Sequence, residues 1–360
     1  MFDQSIIAKL SRRTAPGDRR RLAVSVIAFS AILLVFVAIA SLTVGASGTS
    51  LFKVLMAWSA GEKIGLVERV ILFDIRAPRT LMGVLVGASL AVSGAVMQGL
   101  FRNPLADPGL VGVSAGAGLG AILAIVLGGM LPPAIAALTG IYTVPIAAFL
   151  GGWLTTMLLY KVSTNSGRTS VAVMLLAGIA VGALSGALSG VLVYMADDAQ
   201  LRDLTFWGLG SLAGATWAKF AVAAPLIILA LATMPFLAKG LNGLTLGEAS
   251  AEHLGIRVQR MKNVAILTVA GATGAAVAVS GGIGFVGIVI PHLLRLIIGP
   301  DHRYLLLASA LLGASLLLVA DMISRTIIAP AELPIGIVTA TIGGPFFLYI
   351  LLRNRGTMDM

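Results

Sequence analysis

The chain has 360 residues, of which 58% are hydrophobic and only 11% are charged, and its formal net charge is +10. A soluble domain carries about a quarter charged residues, so this composition excludes an ordinary soluble fold and indicates helices that span a bilayer. The basic residues lie in short segments between apolar runs, as the positive-inside rule expects, which argues against nucleic-acid binding. Cysteine is absent, which excludes disulfides and thiolate metal sites.

The N-terminus resembles a secretory signal, because several arginines precede an apolar run at residues 22–44. A signal core is about 7–15 residues long, shorter than this run, so we predict a first span that the protein retains. Residues 1–21 then form a basic cytoplasmic tail. Residues 22–360 are predicted to form a single transmembrane domain.

Ten apolar stretches are long enough to cross a bilayer, for which about 20 helical residues suffice. The predicted fold class is therefore an all-α, polytopic membrane protein. With both termini in the cytoplasm, the inner segments carry most of the lysines and arginines, which favours an even number of spans. The predicted spans are 22–44, 79–101, 112–130, 143–161, 171–194, 218–238, 261–280, 284–298, 304–321 and 334–352.

The fifth predicted span repeats a glycine every four residues, at Gly178, Gly182, Gly186 and Gly190. Small residues at this spacing let a neighbouring helix approach closely, so tight packing is one interpretation. The other is a smooth face that lines a passage for a large solute. Both interpretations can hold for one helix with two faces.

The longest polar segment on the predicted inner side, residues 239–262, contains a short amphipathic helix. Thr245 and Glu248 have the spacing of a capping box, and Gly255 stands where a helix commonly stops. The helix would lie on lipid or insert into a groove of a cytoplasmic partner, and its weak, alanine-rich apolar face favours the partner.

The sequence shows no motif for catalysis. A phosphate-binding loop requires a Gly-Lys pair, and the chain contains none, so an ATP-driven process needs another polypeptide. His253, His292 and His302 form no metal-binding pattern, and no nucleophile–base set is present, so we predict neither an enzyme nor a metal site. No acidic residue lies in the middle of a span, which argues against a secondary transporter, the remote alternative.

A set of collinear motifs resembles the permeases of type II ABC importers, which take up ferric siderophores, haem or cobalamin. The strongest lies at residues 74–118, from Asp-Ile-Arg-Ala-Pro-Arg-Thr to the Asn-Pro-Leu-Ala-Asp-Pro-Gly segment. The other matches are at residues 206–212, 246–255, 284–292 and 332–336, and together they cover nearly the whole chain after residue 70.

The resemblance implies a homodimer in the bacterial inner membrane with a passage along its axis, two cytoplasmic ATPase subunits and one periplasmic binding protein. ATP and Mg belong to the ATPase, and no cofactor is expected on this chain. The docking residues for the binding protein correspond to Arg76, Arg79 and Arg325. The ATPase-coupling region is 243–257, with Thr245, Leu246, Gly247, Glu248, Ala251, His253, Leu254 and Gly255.

The resemblance also assigns the passage and its gate. The pathway is lined by the fifth span, a short helix after it at residues 204–212, and the start of the tenth span. The pathway residues are Met174, Gly178, Gly182, Gly186, Gly190 and Tyr194, and the cytoplasmic gate comprises Ser163, Thr164, Asn165 and Ser166.

The cargo follows from residues 194–207, which look most like the haem-importing members. Siderophore and cobalamin are the alternatives. Tyr194 and Met195 at the outer end of the fifth span could touch haem, since both residue types ligate haem iron, although interfacial residues at a helix end are the simpler interpretation.

Overall fold

The computed structural model describes residues 19–45, 51, 54, 56, 59–61, 65–165 and 168–353. Within them the chain is almost entirely helical, which confirms the predicted all-α class. Most of the basic tail, residues 1–18, and the gate residue Ser166 lie outside the described residues.

Within the described residues, the first half of the chain contains six α-helical elements and one small hairpin. Helix α2 begins with a turn of α-helix and a π-helical segment, Val70–Arg76, before its long α-helical part, Ala77–Phe101. The elements are α1 (Arg20–Thr43), α2 (Leu66–Phe101), α3 (Val113–Leu127), α4 (Pro133–Thr139), α5 (Thr143–Ser163), β1 (Thr164–Asn165), β2 (Arg168–Thr169) and α6 (Val171–Met195).

The described part of the second half contains eight further α-helices. A 3-10 segment, Met234–Leu237, joins two of them into one long rod. The elements are α7 (Asp198–Leu209), α8 (Trp217–Thr233), α9 (Ala238–Leu244), α10 (Glu248–His253), α11 (Val258–Ser280), α12 (Val286–Ile298), α13 (His302–Ser324) and α14 (Ile335–Arg353).

Among the described residues, eight helical stretches are long and apolar enough to cross a membrane, and α12 and the apolar part of α14 (Ile335–Tyr349) are shorter apolar helices. These ten elements coincide with the ten predicted spans. The second span is longer than predicted, because its helix begins at Leu66 rather than at residue 79.

Helix α2 is the centre of the bundle. It contacts α8, α11, α12 and α13, and nearly every residue from Arg79 to Leu100 is buried. Close approach depends on small residues, since a Cβ added at Gly87 would lie 2.5 Å from the carbonyl oxygen of Gly313 in α13. In lipid, such backbone proximity replaces the hydrophobic effect as the cause of helix association.

Helix α6 lies at the edge of the same bundle. It contacts α3, α5 and the 3-10 turn Pro108–Val111, and only Met174, Ser185 and Leu192 are buried. Most of the surface of α6 is therefore not covered by the described part of the chain.

Candidate translocation, coupling and docking sites

The glycine stripe of α6 divides into two parts. A Cβ at Gly178 would lie 2.5 Å from the carbonyl oxygen of Leu110, so this glycine permits close packing. At Gly182, Gly186 and Gly190 an added Cβ would meet no atom of the described chain within 4 Å. The two interpretations of the stripe thus apply to different ends of one helix: packing near its start and an open face over the rest.

Two other predicted pathway residues differ sharply in exposure. Met174 is completely buried and belongs to the main hydrophobic core, so its placement on an open pathway is wrong. It lies one helical turn before Gly178, on the side of α6 that packs against the chain. Tyr194, near the end of α6, is 93% exposed.

The coupling region has a different local structure from the predicted capping box. Thr245 is the C-cap of α9, and its hydroxyl donates to the carbonyl oxygen of Asn242 at 2.7 Å. Helix α10 begins only at Glu248, after Gly247 with φ +98°. The capping-box prediction is wrong because this left-handed backbone at Gly247, which only glycine adopts easily, turns the chain between the two residues.

The surface of α10 agrees with the prediction of a projecting helix. Leu246 and Leu254 are 64% and 62% exposed, and His253 is exposed as well. Ala251 is buried and holds the helix on the bundle. Gly255, with φ +78°, follows the helix where a stop was predicted. The helix therefore presents a small apolar surface bordered by polar groups.

The predicted gate forms a hairpin rather than an irregular loop. Ser163 ends α5, and Thr164 and Asn165 form β1, which pairs antiparallel with Arg168 and Thr169 of β2. The hydroxyls of Thr164 and Thr169 lie 2.8 Å apart. The hairpin leads directly into α6, whose first turn is capped by Ser170.

The neighbouring helix α9 is anchored to α13 through Asn242. Its amide donates to the carboxylate of Asp301 at 2.7 Å, and its side-chain oxygen accepts from the backbone nitrogen of His302 at 2.9 Å. Arg303 donates to both oxygens of Asp301 and lowers the pKa of that carboxyl to about 2. The carboxylate therefore stays charged across the physiological range and keeps capping α13.

The three predicted docking arginines are buried. Arg76, Arg79 and Arg325 are 3%, 5% and 5% exposed, so the expectation that they face outward is wrong for this chain. The reason is that each guanidinium finds acceptors inside the protein. Arg76 donates to the carbonyl oxygens of Leu42 and Thr43 at 2.8 and 2.9 Å.

Arg79 is the centre of a charge network at the end of the bundle where α1, α2 and α13 meet. Its guanidinium donates to Asp321 at 2.8 Å and to Glu332 at 2.8 Å, with two oxygens of each carboxylate engaged. Arg325 donates to the hydroxyl and carbonyl oxygens of Ser41 at 2.8 and 2.9 Å. Arg325 also lies beside Asp321, four residues before it in the chain, with a guanidinium nitrogen 3.5 Å from a carboxylate oxygen.

Glu332 and Ser41 also belong to this network, although the sequence did not indicate them. Their partners lie 253 and 284 residues away along the chain, beyond the reach of any local pattern. Within the described ranges, no three His, Asp or Glu side chains are placed to hold a metal ion.

Comparison with known proteins gives a consistent family. The FecCD transport family matches residues 6–353. The hemin transport system permease protein HmuU of Yersinia pestis is 46% identical over 91% of this chain and 95% of its own length. The cobalamin import system permease protein BtuC of Halobacterium salinarum is 42% identical over 83% of this chain and 78% of its own length.

A solved structure described as an inward-facing metal-chelate type ABC transporter superposes with a TM-score of 0.79 and 32% identity, covering 91% of this chain and 99% of its own. Sequence and fold thus agree over nearly the whole chain, and the predicted resemblance is confirmed. Permeases of ABC importers work with an ATPase and a substrate-binding protein, and the family implies both partners here. The chain is a multi-pass membrane protein that belongs to the FecCD transport family.

Proposed function

We propose that this chain is the permease of an ATP-driven importer that moves haem from the periplasm to the cytoplasm. The observation that carries the cargo is the 46% identity to a hemin transport permease over 91% of the chain. The resemblance of residues 194–207 to haem-importing members points the same way. The open stripe from Gly182 to Gly190 suits a bulky amphipathic cargo, because no side chain obstructs it.

Cobalamin is the second candidate cargo. Cobalamin permeases are 42% identical to this chain over 83% of its length, so the difference from the haem relative is modest. Cobalamin and haem are both bulky, which means that the open face of α6 suits either one. A ferric siderophore is the third candidate. Only uptake measurements with each compound separate them.

The proposed assembly is a homodimer in the inner membrane with both termini in the cytoplasm. The unburied face of α6 supports it, because a second copy beside that face would enclose a passage. Two ATPase subunits would dock on the two copies of α10, where the exposed flanking residues Leu246 and Leu254 suit a groove on a partner.

A periplasmic haem-binding protein would dock at the opposite end of the bundle, over the network of Arg79. The buried arginines Arg76, Arg79 and Arg325 shape this proposed docking face, and Glu332, with 37% of its side chain exposed, presents its charge. Docking of complementary charges there would fix the orientation of the partner.

Transport follows an alternating-access cycle in this proposal. The loaded binding protein releases haem into the passage between the α6 helices, and ATP binding and hydrolysis on the partner subunits displace α10. Displacement opens the hairpin gate toward the cytoplasm. A passage lined by glycine binds cargo weakly, and weak binding lets the cargo leave.

The test is uptake into proteoliposomes that contain this chain and its ATPase, with binding protein added outside and nucleotide enclosed. Haem, a ferric siderophore and cobalamin are offered separately. We expect accumulation of haem that requires enclosed ATP. Accumulation of cobalamin or the siderophore alone would reject haem as cargo. Uptake of haem without ATP or without the ATPase would reject the importer assignment itself.

A further inference from the structure

The coupling helix α10 is joined to the gate hairpin by one buried lysine. Lys262, near the start of α11, is 4% exposed. Its ammonium donates to Glu248 at the start of α10 at 2.7 Å and to the carbonyl oxygen of Thr169 in β2 at 3.1 Å. One side chain therefore bridges α10 and the gate hairpin.

At the hairpin end of this bridge, the backbone nitrogen, the carbonyl oxygen and the hydroxyl of Thr169 are all hydrogen-bonded. Gln259, one turn before Lys262, accepts from the backbone nitrogen of Thr169 at 2.9 Å and donates to its hydroxyl. The same amide donates to Asn263 at 2.8 Å, which fixes its orientation. Thr169 is 5% exposed, so loss of these contacts would leave buried polar groups without partners, a costly state.

The contacts continue into the proposed gate and the proposed passage. Thr169 is bonded to Thr164 across the hairpin, and the backbone nitrogen of Ser170 donates to the carbonyl oxygen of Ser163 at 2.9 Å. Ser170 is the N-cap of α6. A displacement of Thr169 therefore moves both strands of the hairpin and the first turn of α6.

The positive charge on Lys262 ties the bridge to the carboxylate of Glu248 in α10. A buried ammonium is stable only while acceptors surround it, and here the carboxylate of Glu248 supplies the opposite charge. If α10 moves, Lys262 either follows Glu248 and pulls on Thr169 or loses its counter-charge. By contrast, the preceding helix α9 is bonded through Asn242 to the residues at the start of α13. The bridge to the gate hairpin therefore starts from α10 and not from α9.

We propose that Glu248, Lys262 and Thr169 form a relay that transmits displacement of α10 to the gate hairpin and α6, with Lys262 as its positioning residue. The inference rests on the proposed role of α10 as the contact for the ATPase. It adds to that role the specific residues through which the movement reaches the gate. The alternative is a static clasp that holds the hairpin in place without transmitting movement.

The test uses the absence of cysteine from the natural chain. Arg168→Cys places one thiol on an exposed position of β2. Its modification rate by a membrane-impermeant maleimide is measured in the importer with its ATPase, without nucleotide and after trapping with ATP and vanadate. ATP-dependent haem uptake and recovery of the bound ATPase are measured on the same samples.

In the parent we expect trapping to change the modification rate at least about fivefold, the ratio that a modest free-energy difference produces. In Lys262→Met the change should fall below about twofold while the ATPase still binds, because the exposed face of α10 is unaltered. Lys262→Arg should restore the response. Arg260→Met, which removes the same charge from an exposed position in the same turn of α11, should respond like the parent.

Glu248→Gln guards against a folding defect in Lys262→Met, since Glu248 is 48% exposed and its change does not open the core. This variant should give a response between those of the parent and Lys262→Met. A parent-like response in both Lys262→Met and Glu248→Gln would overturn the relay and leave the importer assignment standing. A parent that neither binds the ATPase nor takes up haem would overturn the proposed function as well.

Discussion

Helices α2 and α6 have nearly the same composition and opposite surroundings. The α-helical part of α2, Ala77–Phe101, and helix α6, Val171–Met195, each have 25 residues, and each contains four glycines. In the most apolar 18-residue stretch of each helix, 83% of the residues are buried in α2 but only 11% in α6. A glycine in α2 meets the backbone of another helix, whereas three glycines of α6 meet no part of the described chain.

The difference shows that a small-residue stripe has no fixed meaning in a membrane helix. In α2 the absent side chain of Gly87 lets α13 approach, and packing stabilises the chain. In α6 the absent side chains leave free space beside the bundle. We therefore expect the first arrangement to matter for folding and the second to matter for the proposed transport.

We expect the largest loss of stability when the charge that anchors the α-helical part of α2 is removed. Arg79→Met leaves Asp321 completely buried with its remaining cation, Arg325, 3.5 Å away. Breaking a buried pair in this way costs about 3–5 kcal/mol, so we expect a large fall in the unfolding temperature of the detergent-solubilised protein.

Glu332→Gln is the matched control for that change. It alters the partly exposed partner of Arg79 and should cost only about 1 kcal/mol, because the new amide oxygen still accepts a hydrogen bond and Arg79 keeps Asp321 as its counter-charge. Equal stability of Arg79→Met and the parent would show that the network does not anchor α2. Because Arg79 has this structural role, loss of binding-protein docking in its variants needs an unfolding measurement beside it.

A matched pair of glycine variants tests the comparison next. Gly87→Val forces a Cβ against the backbone of Gly313 and should destabilise the chain by about 1–3 kcal/mol or more, as overpacking does. Gly186→Val adds the same atoms to the open face and should change stability by no more than about 0.5 kcal/mol. Thermal unfolding of both proteins in one detergent checks the difference. Equal losses would mean that α6 is packed like α2.

Haem uptake should be sensitive to substitutions on the open face of α6, where stability is not. We expect Gly186→Leu to lower ATP-dependent haem uptake about tenfold, which corresponds to about 1.4 kcal/mol in the barrier, because the larger side chain enters the passage. Ala180→Leu adds similar bulk about 120° around α6 from Gly186, because each of the six intervening steps turns the helix by about 100°. That control should transport like the parent, and equal loss in both variants would contradict the assignment of the glycine face.

The smallest effect is expected at the exposed end of α6. Tyr194 is 93% exposed, so Tyr194→Ala should alter the stability by less than about 0.5 kcal/mol. Haem uptake should fall by no more than about twofold, because a passage that binds weakly depends little on one contact. A loss larger than tenfold, with unfolding unchanged, would instead make Tyr194 a specific contact for haem.

The sequence predicted much of the fold because hydrophobic runs report membrane spans directly. It predicted the position of α10 and its end at Gly255, but not its start, since the left-handed backbone at Gly247 has no signal that separates it from other glycines. The partners of Arg79 and Lys262 were beyond prediction. Arg79 bonds to a residue 242 positions away and Lys262 to one 93 positions away, so only the packed fold brings them together.

The glycine stripe shows the same limit of sequence-based prediction at the level of single residues. Its spacing was evident from the sequence, and so were the two meanings that it allowed. Which glycine packs depends on Leu110, a loop residue far from Gly178 in the chain. The family resemblance assigned Met174 to the passage, and the fold buries it in the core instead.

The most direct test of the account is the water accessibility of α6 in the assembled importer. Single cysteines at Gly182, Gly186 and Gly190 are compared with cysteines at Leu184 and Leu188, which are 60% and 47% exposed and face the other way. We expect an impermeant maleimide to modify the glycine positions and to spare the leucine positions. Reaction at Leu184 and Leu188 with protection of all three glycine positions would contradict it.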